Sequence, residues 1–187
     1  MSDQLFTPAA RDRLRAIIQA KSVLSGNQFR LASGRTSSIF FDMKQTLFDP
    51  EGANLIGDGL LDLLAGFEFD AVGGLAMGAV PVVSALVMKS WPLRPILGFS
   101  VRKETKDHGT QKLIEGPLVT GARVVILDDV STTAGSSIKA IEAVRSIDCE
   151  VVGVVTIVDR KEGAEENLAK LGLTLTSLYT RDDFVAK

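Results

Sequence analysis

Cysteine occurs once in the sequence, as Cys149, so the chain cannot close a disulfide within itself. That cysteine lies in the apolar-flanked run SIDCEVVGV, where a buried packing residue is expected. A basic excess is also missing. The formal net charge is -2, which argues against a domain that coats nucleic acid. No apolar run approaches the about 18 residues that span a bilayer, so no membrane partner is expected. The first residues, MSDQLFTPAARDRLR, lack the basic-then-apolar order of a secretory signal. A cytoplasmic, soluble protein is the expectation. Internal repeats and low-complexity linkers are absent too, and 187 residues suit a single domain spanning 1–187.

What is present reads as an alternation of helices and strands. Thr7-Pro8 and Asp49-Pro50 each place a capping side chain before a proline that needs no N–H, the signature of a helix start. After the first, Leu14, Ile17 and Ile18 recur at helical spacing; after the second, Leu55, Ile56, Leu60, Leu63 and Leu64 do so. Gly26-Asn27 is expected to break the first run ahead of a hairpin, with strands over 29–31 and 39–43. Strands follow at 70–74, 94–101, 123–127, 150–158 and 173–179, with helices at 80–88, 136–147 and 164–171. This order predicts an α/β fold: a mostly parallel central sheet flanked by helices. Residues 102–121 are polar, charged and patternless. An unstructured stretch of that length inside a domain is commonly a functional lid or a disordered segment.

The chemistry concentrates after the apolar run 124–127. Asp128 and Asp129 come first, then Val130, Ser131, Thr132, Thr133, Ala134, Gly135, Ser136 and Ser137, leading into a helix. Main-chain N–H groups at a helix start converge on one point, the helix dipole favours an anion there, and the hydroxyls add donors. Small side chains let the backbone come close. Two carboxylates would repel that anion, so they suit a ribose, whose hydroxyls donate to them. Paired acids after a strand also occur in phosphoacceptor domains and metal loops, but neither calls for the hydroxyl-glycine run that follows. No Gly-x-x-x-x-Gly-Lys-Ser/Thr loop occurs in the chain.

The run closely resembles the signature for 5-phosphoribosyl-1-pyrophosphate (PRPP) of the type I phosphoribosyltransferases. That resemblance implies that Asp128 and Asp129 hold the ribose hydroxyls and that Thr132, Thr133, Ala134, Gly135 and Ser136 hold the 5′-phosphate, with Val130 and Ser131 part of the same PRPP site. Ala134 stands where the family usually has glycine. If positive φ is needed there, alanine is strained, and Gly135 is expected to take that conformation instead.

A second segment, Arg102-Lys103-Glu104-Thr105-Lys106-Asp107-His108-Gly109, is similar to the catalytic loop of the orotate phosphoribosyltransferases. By itself a charged loop is an ordinary solvated surface. The resemblance implies that Arg102, Lys103, Lys106 and His108 are catalytic, binding PRPP and pyrophosphate in part across a homodimer interface. A closing cationic loop would exclude water and stabilise the departing charge.

The rest of the resemblance covers the base. Residues 29–42 resemble a small hood, spanning about 1–45, that puts Phe40 and Phe41 near orotate. Arg160, in Asp159-Arg160-x-Glu162-Gly163, matches the arginine that pairs with the orotate carboxylate, a task suited to its planar fork. Thr132 is implied on the orotate side as well. Residues 74–81, GLAMGAVP, resemble a pyrophosphate loop. Lysines found in the hood and in this loop of some relatives are replaced here by Ala32 and Gly78. The expected reaction joins orotate to PRPP, giving orotidine 5′-monophosphate and pyrophosphate. Mg²⁺ is expected to be held by PRPP itself, with no protein ligand assigned. Two alternatives are a phosphoribosyltransferase for another base and a non-catalytic PRPP sensor.

Overall fold

The structure, a computed structural model, describes residues 6–30, 36–104 and 113–185. Both proline-marked helix starts form as their sequence dictates. The Thr7 hydroxyl accepts from the N–H of Ala10 at 3.2 Å and opens α1 (Pro8–Lys21); Asp49 accepts from Gly52 at 2.8 Å and opens α3 (Pro50–Leu63). Leu14, Ile17 and Ile18 are buried, as are Ile56, Leu60 and Leu64, while Leu55 and Leu63 flank the core at its edge. Between them lie β1 (Val23–Arg30), β2 (Thr36–Phe41) and a single turn, α2 (Lys44–Leu47), whose four residues leave no periodic pattern. Gly26 does not break the chain, contrary to the expectation from sequence. It takes φ +107° inside β1, where the antiparallel register with β2 shifts between Ser25 and Phe29, so the strand bulges and continues.

The remaining elements are β3 (Ala71–Leu75), α4 (Ala79–Ser90), β4 (Leu97–Val101), β5 (Ile114–Glu115), β6 (Arg123–Ser131), α5 (Gly135–Arg145), β7 (Glu150–Asp159), α6 (Ala164–Ala169) and β8 (Leu175–Thr180). They build a six-stranded sheet in the order β5-β4-β3-β6-β7-β8, parallel except for β5. Successive β6 residues feed the two sides of this sheet. Val125 and Leu127 enter the core beneath α3 and α4, whereas Val124 and Ile126 enter the one beneath α5. Cys149 is buried in the second core, as expected.

Three of the differences from the sequence reading have a direct physical cause. β4 starts at Leu97 rather than 94, because Arg94 is turned aside to donate to the carbonyls of Leu64 and Phe67 at 2.9 and 2.7 Å. The stretch 102–121 is not patternless throughout: Ile114 and Glu115 pair with Val101 and Ser100. Two residues are too few for any periodicity to reveal. The third concerns β6, which runs four residues past the expected 127, to Ser131, because β7 continues beside it and pairs Val130 with Val158 and Ser131 with Asp159. The order β4-β3-β6 also makes β3 the point where the chain's winding reverses, so the ends of β3 and β6 open the crevice in which α/β sheets bind ligands.

Candidate active site

Because β6 carries on through the two acids, their side chains leave the strand in different directions. Asp128 is buried at 7% exposure. Its Oδ1 accepts the N–H of Asp129 at 3.0 Å, and Oδ2 accepts the hydroxyl of Ser137 at 3.4 Å. Burial, and then the neighbouring Asp129 carboxylate, push the Asp128 carboxyl well above the usual aspartate range. Asp129 is half-buried, with Oδ1 accepting the N–H of Val130 at 2.9 Å.

The strand then turns sharply into α5. Ala134 makes that turn itself at φ +63°, ψ +18°, and Gly135 does not relieve it as expected from sequence. For a residue with a Cβ the left-handed region costs roughly 1–2 kcal/mol. The turn leaves the first N–H groups of α5 without carbonyl partners in the helix and places Gly135 and Ser136 at the surface. Thr132 and Thr133 are half-buried beside them. Two ties hold this loop. The N–H of Arg160 donates to the Ser131 carbonyl at 2.9 Å, and the amide of Asn167, on α6, donates to the Thr133 carbonyl at 3.1 Å. Asn167 has no local signal in the sequence; only the packing of α6 brings it to the loop. Glycine permits the approach of strand to strand: a Cβ at Gly74, near the end of β3, would stand 2.1 Å from the Leu127 carbonyl. The arrangement offers unpaired donors for an anion next to two acceptors for hydroxyls.

Arg160, at the end of β7, is 2% exposed. Its Nε donates to Glu162 at 2.9 Å and one terminal nitrogen donates to the Ile39 carbonyl at 3.1 Å, so the arginine ties the β1-β2 ribbon to the sheet. Phe40 and Phe41, adjacent on β2, face opposite ways. Phe41 is buried, edge-on to Phe184 at 5.4 Å between ring centroids, and the Arg160 guanidinium lies 5.8 Å from its ring. Phe40 is half-buried and pairs with Phe29 at 5.7 Å.

Arg102 follows β4 and donates to Glu115 at 3.3 Å. The N–H of Ala76 bonds the Val101 carbonyl at 2.7 Å, so the root of the cationic segment lies beside the turn after β3. Lys103 is exposed. Lys106, His108 and Ala32 lie outside the described residues.

An anion cradle beside hydroxyl acceptors at the reversal point of a parallel sheet suits a ligand that carries both a phosphate and hydroxyl groups. Residues 50–177 match the family model of the phosphoribosyl transferase domain. Over 182 residues the chain is 46% identical to an orotate phosphoribosyltransferase of Rhodopseudomonas palustris (strain BisB5), covering 95% of this chain and 97% of that one. It is 43% identical over 175 residues to the Aquifex aeolicus (strain VF5) enzyme of the same name, at 90% and 94% coverage. The crystal structure of Mycobacterium tuberculosis H37Rv orotate phosphoribosyltransferase in complex with PRPP superimposes with a TM-score of 0.79 at 36% identity, covering 94% of this chain and 98% of that one. The chain belongs to the phosphoribosyltransferase family, in its orotate phosphoribosyltransferase branch.

Proposed function

We propose that the chain transfers the 5-phosphoribosyl group of PRPP to orotate, with the end of β6 holding the sugar phosphate and the β1-β2 ribbon with Arg160 holding the base. The observation that carries this reading is the left-handed turn at Ala134, which opens α5 next to the acid pair. In this reading Thr132, Thr133, Gly135 and Ser136 donate to the 5′-phosphate, and Ala134 sets the turn. Asp128 and Asp129 accept the ribose hydroxyls. Phe40 covers the ring, and Arg160, its charge balanced by Glu162, faces the orotate carboxylate.

A bond forms from the orotate ring nitrogen to C1′ of the ribose as the bond from C1′ to the pyrophosphate oxygen breaks. The ring N–H proton passes to solvent. Since orotate is already an anion, no carboxylate base is assigned, and rate enhancement comes from positioning and charge stabilisation. Arg102, Lys103, Lys106 and His108 stabilise the departing pyrophosphate, some of them from the second copy of a homodimer in the cytoplasm. Mg²⁺ takes hard oxygen ligands and keeps several waters. Among the described residues, no group of three or more His, Cys, Asp or Glu side chains could hold a metal, while Asp128 and Asp129 supply two carboxylates. That donor set fits an ion carried by the oxygens of PRPP, where it would neutralise pyrophosphate charge. Mixing the chain with orotate, PRPP and Mg²⁺ should bleach the orotate absorbance and release pyrophosphate. Hypoxanthine consumed in place of orotate, or no change at high enzyme concentration, would contradict the proposal.

A further inference from the structure

The two acids differ in what stands against them. Asp128 rests on α5 through Ser137. Asp129 lies against the start of α4, where Gly78 precedes the first helical residue. A Cβ on Gly78 would stand 2.9 Å from Oδ1 of Asp129, 3.3 Å from its Cγ and 3.6 Å from Oδ1 of Asp128. The first distance is shorter than a carbon and a carboxylate oxygen pack. Oδ1 is also the oxygen that accepts the Val130 N–H, so a methyl group at position 78 would have to turn the carboxylate away from that bond.

The backbone itself does not ask for glycine. Gly78 has φ -54° and ψ -44°, ordinary helical values that alanine adopts freely, unlike Gly121 and Gly172 at +79° and +73°. Nor does Gly78 supply a side-chain cap to α4, a helix of 12 residues whose positive end favours a nearby anion. The carboxylate of Asp129 lies beside that end.

We propose that Gly78 is the positioning residue for Asp129: the absence of a side chain at 78 leaves the seat in which the carboxylate meets PRPP. The inference rests on the reading of Asp129 as a ribose acceptor. It also gives a physical use to a position where some relatives carry lysine. In this chain, room at position 78 sets the direction of an acceptor rather than supplying a cation.

The test is a double-mutant cycle on the full-length chain, reading KM for PRPP, KM for orotate and the ligand-free melting midpoint. Gly78→Ala should raise KM for PRPP about tenfold, the scale of one charge-assisted hydrogen bond, with orotate KM and melting midpoint unchanged. Asp129→Ala should raise KM for PRPP by at least as much. The double variant should be no worse than Asp129→Ala alone, because the alanine at 78 then has nothing to displace. Additive losses, an unchanged PRPP KM in Gly78→Ala, or a fall in its melting midpoint with both KM values raised would overturn the positioning role. An unchanged PRPP KM in Asp129→Ala would instead sink the ribose reading, and the inference with it.

Discussion

In the proposed site the end of β6 and the β1-β2 ribbon solve the same problem, presenting polar and aromatic groups to a ligand, by opposite means. At β6 the working residues are consecutive, and the main chain does much of the work through the Ala134 turn and the free N–H groups of α5. In the ribbon, neighbouring residues divide between tasks: Phe41 belongs to the core with Phe184, while Phe40 faces the other way. A site made from main chain can be written in one run of sequence. One made from side chains must be assembled by packing, and half of a matching motif can turn out to serve the packing.

That contrast breaks most readily at the two phenylalanines. Phe41→Ala should lower the free energy of unfolding by about 3–5 kcal/mol, as for other fully buried aromatics, whereas Phe40→Ala should cost about 1 kcal/mol, the worth of one aromatic pair. Urea unfolding of both variants checks this, and equal losses would mean that both rings serve the core.

Asp128 sharpens the other half. Its folded carboxyl is raised by burial and by Asp129, so the folded state prefers the neutral form. The sign follows from linkage: this contribution is fully present below the ordinary aspartate range and is lost as pH rises through the raised value. Asp128→Asn should therefore stabilise the ligand-free chain at neutral pH, on the order of 1 kcal/mol, while impairing PRPP use. Melting curves across pH should show that loss in the parent and a flatter profile in the variant.

How legible each half was follows from the same difference. The helix starts at Thr7-Pro8 and Asp49-Pro50 are local devices, and both formed where the sequence put them. The cradle was legible because strand, acids, hydroxyls and helix stand in chain order. Its details were not: that β6 runs to Ser131 depends on pairing with β7, and that Ala134 rather than Gly135 takes positive φ depends on how α5 docks. Asn167 and the bond from Arg160 to the Ile39 carbonyl join residues far apart in the chain, 34 and 121 positions, respectively, so no spacing announces them. Arg160 itself came from family resemblance; its burial against Phe41 and Glu162 is a product of tertiary structure.

The most direct test of the division between a sugar-phosphate half and a base half is a pair of KM measurements on two mild variants. Asn167→Ala, which frees the Thr133 carbonyl, should raise KM for PRPP about fivefold, the worth of one hydrogen bond, and leave KM for orotate alone. Phe40→Ala should do the reverse. If either variant raised both constants together, or if the two effects were exchanged, the assignment of β6 to the phosphoribosyl group and of the ribbon to the base would be wrong.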